Sequence, residues 1–490
     1  MIRQAYIGCT AALTCLLAAC AVGPNYKAPA APSTAGFAQP GEVPAQLGTQ
    51  RLDDGRDIPG QWWTLFQSPE LNALIERALA NSPTLDAASA ALRQANETLA
   101  AGRGYYYPSL SGAAGVQRQK VPGAALGAPQ VPSIIYTLNN ATVNVSYTLD
   151  AFGGVRRQVE SLDAQADYQR FSLEAAYLSL TANLVTAAIT EASLRAQITA
   201  TQDIAESQRK QLDITQRRLS AGGASKVDVL QQQSILQNTL ATLPGLKTQL
   251  AQQRNLLAAY AGALPADFAA PAFNLDSLTL PGELPLTVPS KFVEQRPDVQ
   301  EFSALLHQAT AEIGVATANM LPQITLSGSY GGEATSFADV FSPASVVWSL
   351  MASATQPIFK GGQLLHQRRA AVAAAEQAAA NYRATVITAF QNVSDTLYAL
   401  KGDAETLDAE TLAQSTAAQS LSLVQAQYKS GAANYLQVLS AEQNYQSVAV
   451  ALIKAKAQRY ADTAALFQAL GGGWWNRADV AANSSRKEIP

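Results

Sequence analysis

From Val155 to Ala221 the chain contains neither a glycine nor a proline. Those two residues are the strongest helix breakers, so this stretch is free to form one continuous α-helix, on the order of 100 Å long at about 1.5 Å per residue. A compact globular core has no use for such a helix. Its apolar positions include Val159, Leu162, Ala166, Phe171, Leu173, Tyr177, Leu180 and Leu184, spaced mostly by three or four. That is the spacing of an amphipathic or coiled-coil helix. Downstream, Gln363–Lys401 and, past Gly402, Asp403–Ser430 read the same way. Returning helices are expected over about 224–261, interrupted at Pro244-Gly245, and over 432–470. Gly222, Gly223 and Gly431 mark the reversals, because glycine accepts the left-handed conformation at a helix end.

The two helical stretches belong to a duplication. Asn81-Ser82-Pro83 matches Gln295-Arg296-Pro297, and Tyr107-Pro108 matches Leu321-Pro322 at the same offset. Phe152-Gly153-Gly154 matches Phe359-Lys360-Gly361-Gly362, with Gly153 set against Gly361. Ser220-Ala221-Gly222 with Val229-Leu230 matches Lys429-Ser430-Gly431 with Val438-Leu439. The offset shrinks between the second landmark and the third, so that one segment is longer in the first copy. Each copy spans about 200 residues and reads helix, strand, strand, long helix, turn, long helix, far above the roughly 20–50 residues of a solenoid unit.

The strands alternate. In Asn139–Leu149, Ala141, Val143, Val145, Tyr147 and Leu149 oppose Asn140, Thr142, Asn144, Ser146 and Thr148. Ile324–Tyr330 and Trp348–Ile358 repeat the pattern, and Leu110–Gln119 does so more weakly. Nine to eleven alternating residues is also the length of a membrane strand, and a polar face of hydroxyls and amides suits a wet lumen. Pattern alone leaves a half-buried soluble sheet open. Four strands are too few for a membrane barrel, and an open edge in lipid would strand backbone N–H and C=O groups. Strands in a membrane therefore require several chains to share one barrel; three chains would supply twelve strands.

The cysteines narrow the chemistry. All 3, Cys9, Cys15 and Cys20, lie in the first twenty residues, and the chain has only 2 His. Arg3 followed by an apolar run is the pattern of a secretory signal. It ends in Leu17-Ala18-Ala19-Cys20, which resembles a bacterial lipobox, so Cys20 is expected to carry a covalent lipid, palmitate included, as the only cofactor. No Cys-x-x-Cys, His-Glu-x-x-His, phosphate loop or Gly-x-Ser-x-Gly elbow is present. His307, His366, Trp62, Trp63, Trp474 and Trp475 read as packing, surface or interfacial residues. No catalytic, cofactor-binding or metal-ligating residue is assigned, and an enzyme is disfavoured. A net charge of −3 offers no basic surplus for nucleic acid. Charged residues make up 14%, against about 25% in ordinary soluble domains.

The resulting organisation is a signal peptide over 1–19, a Pro-rich lipid-anchored tether over 20–63, a first repeat over 64–263, a Pro-rich connection over 264–290, a second repeat over 291–473 and a tail over 474–490.

Several local motifs then resemble the TolC/OprM-type outer membrane factors, and among them the NodT-type lipoprotein branch. They are Cys20-Ala21-Val22-Gly23-Pro24-Asn25-Tyr26, Trp62-Trp63 with Leu65-Phe66 and Leu71-Asn72, Tyr147-Thr148-Leu149-Asp150-Ala151-Phe152-Gly153, Val288-Pro289-Ser290 with Arg296-Pro297-Asp298-Val299, and Ala469-Leu470-Gly471-Gly472-Gly473-Trp474. The likeness covers nearly the whole mature chain. It implies a mixed fold: a membrane β-barrel plus a long α-helical coiled-coil barrel, built from a duplicated strand-strand-helix-helix repeat, with four strands per chain and closure by a homotrimer. It implies a passive channel for drugs or other small toxic compounds, anchored in outer membrane lipid and extending into the periplasm. Its partners would be a periplasmic adaptor (membrane fusion) protein and an inner-membrane pump of the resistance-nodulation-division type. The periplasmic mouth would open as an iris of helix tips. That points to Asp228 in the first copy and to Tyr435, Leu436, Gln437 and Ser440 in the second. The family commonly places aspartates at the second turn, where this chain has Gln437 and Ser440, with Glu442 the acid present. Closure by Leu436 and amide hydrogen bonds is expected instead. Asp228 reads equally as a gate residue or as an acid favoured at a helix start.

Overall fold

The computed structural model describes residues 21–34, 36–127 and 129–480. The expected signal peptide and Cys20 lie outside the described residues. Strands β1 (Gln46–Leu47) and β2 (Gln50–Asp54) come first. The first copy runs α1 (Pro69–Asn81), α2 (Pro83–Arg103), β3 (Ser109–Val121), β4 (Ile134–Leu149), α3 (Gly154–Ser220) and α4 (Lys226–Tyr260). Strand β5 (Glu283–Leu286) leads into the second copy: α5 (Pro289–Gln295), α6 (Pro297–Ala318), β6 (Gln323–Ala334), β7 (Val346–Thr355), α7 (Gln363–Lys429) and α8 (Tyr435–Ala469).

The duplication is closer than the sequence suggested. Helices α3 and α7 both have 67 residues, and α4 and α8 both have 35. One interval relates every start and end of these pairs, Gly154 to Gln363 and Ser220 to Lys429 alike. The left-handed Gly153 (φ 77°) therefore corresponds to Gly362 (φ 84°) rather than to Gly361. Two expected breaks are absent. Helix α7 passes through Gly402, and α4 passes through Pro244, both exposed or nearly so. An internal glycine costs a helix about 1 kcal/mol and a proline about 3, which long flanking turns with a buried stripe can absorb. Strand β7 stops at Thr355, short of Ile358, because Pro357 has no N–H to offer a ladder.

The described chain divides into two compact units, each drawn from both copies. The first gathers residues 21–29, Leu92–Gln169 and Phe302–Tyr382. It holds an antiparallel sheet in the order β3-β4-β6-β7. Helices α2 and α3 pack through Leu99, Val159 and Ala166, and the tip of the Leu162 side chain fills the space that a Cβ on Gly102 would take, 2.4 Å from it. The start of α3 is capped from the strand before it: Asp150 accepts the N–H groups of Val155 (2.9 Å) and Arg156 (3.0 Å). This is the local reason for the Asp-Ala-Phe-Gly-Gly junction. Val22 pairs with the Phe152 carbonyl at 3.0 Å, and the buried Arg157 donates to Val22 O (3.1 Å), Gly23 O (3.4 Å) and Asn25 Oδ1 (2.6 Å). Tyr26 stacks on His307 at 4.3 Å, and His307 Nε2 lies 3.0 Å from Glu160.

The second unit gathers Ala30–Ala91, Arg170–Glu301 and 383–480. Its core is aromatic. Trp62 stacks on Phe467 at 5.3 Å, edge-on to Trp63 and Phe66, and all four side chains are buried. Segments that read as Pro-rich spacers form a small sheet here, with β2 antiparallel to β1 and parallel to β5. The buried Gln50 ties it down by donating to the Pro281 carbonyl at 2.9 Å. Arg296 explains the Arg-Pro-Asp motif. Its guanidinium grips Asp298 through two bonds (2.9 and 2.6 Å) and donates to the Ala469 carbonyl (2.9 Å) at the end of α8. It thereby satisfies an orphan helix C-terminal acceptor.

Candidate functional site

The four-stranded sheet sorts its residues by chemistry. Register places Gly112, Val143, Tyr330 and Trp348 in one row, and Leu110, Val145, Gly328 and Leu350 in the next. Interleaved on the opposite face is the row Ser111, Asn144, Ser329 and Ser349. The apolar face is bare: Trp348 is 70% and Leu350 81% exposed. Large apolar side chains left in water over a whole sheet face mark a surface that meets something apolar. The other face carries hydroxyls and amides. Among the described residues, strands β3 and β7 have sheet partners on one side only, so two rows of backbone donors and acceptors are available for pairing.

The helix tips repeat one another bond for bond. At the end of α3, Gly222 N–H donates to Leu219 O (3.0 Å) and Gly223 N–H to Arg218 O (2.8 Å). At the end of α7, Gly431 N–H donates to Tyr428 O (3.2 Å) and Ala432 N–H to Gln427 O (2.8 Å). Both are Schellman turns, with the left-handed residue at Gly222 (φ 75°) and Gly431 (φ 82°). Gly223 is the second residue of its turn, where the other copy has Ala432. Each returning helix then opens with a capping box. Ser225 accepts from Asp228 N–H at 3.2 Å while Asp228 accepts from Ser225 N–H at 2.8 Å. Asn434 and Gln437 do the same at 3.0 and 2.9 Å.

The candidate gate residues therefore separate. Asp228 and Gln437 are both engaged in capping their own helices. Ser440 is exposed, and Leu436 is 66% exposed beside the tip. Tyr435 points inward, packed with Val438, Leu439 and Ile235 and against Tyr428, and its hydroxyl donates to Gln232 Oε1. Burial raises the Tyr435 hydroxyl pKa, so it stays a donor. Arg217 pairs with Asp213 on its own helix at 2.9 Å, and the Arg218 guanidinium lies over the Tyr428 ring at 4.5 Å. The sequence reading missed Gln232, which is fully buried, and the burial of Glu442, which is 5% exposed. A signal existed: Glu442 continues the three-and-four spacing of Tyr435, Val438 and Leu439.

A family model described as outer membrane efflux protein matches residues 74–263 and 288–472. ArpC, an antibiotic efflux pump outer membrane protein of Pseudomonas putida, is 30% identical over 481 residues, covering 97% of each chain. OpmQ, a pyoverdine export outer membrane protein of Pseudomonas aeruginosa, is 30% identical over 466 residues, 94% of this chain and 95% of its own. Among solved structures, the outer-membrane channel OprN superimposes with a TM-score of 0.85 at 26% identity, over 93% of this chain and all of that one.

Proposed function

The chain belongs to the outer membrane efflux protein family, and on that premise we propose how its parts serve a passive export duct. The chain is an outer membrane efflux channel. It performs no chemistry on its cargo, drugs or other small toxic compounds, which an inner-membrane pump of the resistance-nodulation-division type drives through a periplasmic adaptor into the duct. Three chains close one barrel of twelve strands. In it the Val143-Tyr330-Trp348 row meets lipid and the Asn144-Ser329-Ser349 row lines the water path. A lipid on Cys20 tethers each chain to the outer membrane.

The observation that carries this reading is the sheet: four strands with an exposed apolar face, a hydroxylated opposite face, and two edges that another strand can join. In lipid those edges must be paired, and copies of the same sheet pair them at the least structural change. The periplasmic mouth is held shut by the Tyr435–Gln232 hydrogen bond and the apolar contacts beneath Leu436, not by a ring of charge. Tip opening parts those contacts when the adaptor docks.

Conductance across a planar bilayer tests the reading. The purified full-length protein is expected to insert as a cross-linkable trimer and to give discrete channel steps. A folded protein that cross-links only as a monomer, or that gives no steps, would sink it.

A further inference from the structure

Away from the sheet and the tips, the second unit contains a cavity of about 330 Å³ between α3, α7 and α8. Ile204 and Leu421 supply apolar wall, and Asp203, Gln208, Glu442 and Tyr445 supply polar groups. Glu442 is 5% exposed and Gln208 1%. Neither the oxygen nor the nitrogen of the Gln208 side chain has a hydrogen-bond partner within the chain, and the Glu442 carboxylate, which completes no bond of good geometry, has only the side-chain amides of Gln232 and Gln425 beside it. A buried polar side chain with nothing to bond, as Gln208 has, is rare in a folded protein and calls for an occupant, be it an ordered water or a ligand. The nearby Gln232 is already engaged, donating to the Gln208 carbonyl at 3.2 Å and accepting from Tyr435.

The lining has a definite polarity. It carries two carboxyl groups and an amide that can donate and accept, with no lysine, arginine or histidine. Among the described residues no group of three or more His, Cys, Asp or Glu could hold a metal ion. A bare divalent cation would also gain nothing from Ile204 and Leu421. The volume is that of a small drug-like pocket. We propose that this cavity binds hydrophobic organic cations, with an ammonium head on Glu442 and an aromatic or aliphatic body against Ile204 and Leu421. Burial holds the empty Glu442 carboxyl above the usual carboxylate range, with Gln232 and Gln425 opposing it, and a bound cation would draw it back down. The inference goes beyond the duct reading and is tested without it, since binding is read on the purified chain.

The probe is 1-naphthylmethylammonium, with neutral 1-naphthalenemethanol as its uncharged counterpart. Fluorescence anisotropy is followed with the full-length protein in phosphatidylcholine nanodiscs. The ammonium is expected to saturate at one site per chain and to bind roughly tenfold or more tighter than the alcohol. Glu442→Gln should abolish that difference by weakening the ammonium alone. Ala449→Leu, which fills the cavity without touching charge, should weaken both probes. Equal binding of the two probes, or unchanged affinity in either folded variant, overturns the proposal. If Glu442→Gln fails to fold, Ala449→Leu and the comparison of probes decide.

Discussion

Asp228 and Gln437 occupy the same position in the two copies, and each turns its side chain back onto the backbone N–H three residues earlier. One is charged and the other is not, yet they make the same bond. The charge on Asp228 is therefore incidental to its fold role. Asp228→Asn keeps the acceptor and is expected to leave closed-channel current unchanged. Asp228→Ala removes the acceptor of the Ser225 N–H but leaves the Ser225 cap in place, and should cost about 0.5 kcal/mol of helix stability. Bilayer recordings and thermal melting check both. A rise in leak from the asparagine variant would assign the charge a gating role.

Tyr435 and Gln232 make the contact proposed to hold the mouth shut. Tyr435→Phe retains the ring against Tyr428 and Val438 but removes the hydroxyl that donates to Gln232 Oε1. An acceptor left buried and unpaired costs about 1–3 kcal/mol. The variant should spend more time open, visible as an increased open fraction in single-channel traces. Leu436→Ala, at an exposed tip position, should do so to a smaller degree. If neither variant changes the open fraction, closure resides elsewhere.

Much of this was legible in the residues. Helix length followed from a stretch without breakers, strand faces from strict alternation, and the turns from glycines whose left-handed φ the structure bears out at 222 and 431. The parallel pairing of β2 with β5 was not legible. These strands are very short and lie far apart in the chain, and one contains Pro285, so there is no periodicity to read. Gly402 and Pro244 misled because local propensity is a weak prior against the packing of a long helix. The burial of Gln208, Gln232 and Glu442 escaped because polar residues on a helix are ordinarily solvent-facing, and only the spacing from Tyr435 hinted otherwise.

The carboxyl of Asp403 is pushed up to about 7 by burial first, and then by Asp462, with Arg459 opposing. Arg459 is buried and donates to the carbonyls of Leu400 and Leu47. A folded pKa above the unfolded value means that the folded state holds the proton more tightly. This contribution to stability is full below the unfolded pKa of Asp, about 4, and is lost as pH rises through about 7. Asp403→Asn should therefore lose part of the decline in apparent melting temperature from roughly pH 4 to 7. The wild-type-minus-variant difference isolates this residue from Glu301, also raised to about 7 by burial and by Asp298. A difference that is flat with pH would exclude Asp403 as its source.

The clamp on residues 22–25 gives a local prediction. Arg157 is 4% exposed and serves two backbone carbonyls and Asn25 through one planar fork. Lysine keeps the charge but cannot span those acceptors. Arg157→Lys should release the segment more often and speed tryptic cleavage at the exposed Lys27 by roughly tenfold, since cleavage follows the opened population. Mass spectrometry of the released peptide reads this directly. An unchanged rate would mean that the Val22–Phe152 pairing and the Tyr26 contacts hold the segment without Arg157.

Neighbouring positions in one strand give the sharpest test of which face meets lipid. Val143 and Asn144 are consecutive in β4, so they sit at nearly the same depth, yet register sends them to opposite faces. A lysine on the lipid side near mid-membrane costs about 2–4 kcal/mol, and a trimer would bear it three times. Val143→Lys should therefore abolish heat-resistant trimers in outer membrane fractions. Asn144→Lys should assemble normally, because its ammonium enters water. It should also shift the reversal potential in a salt gradient toward anion selectivity, since three added positive charges would line one lumen. The opposite pattern, with Val143→Lys assembling and Asn144→Lys not, would invert the sheet and require the hydroxylated row to face lipid.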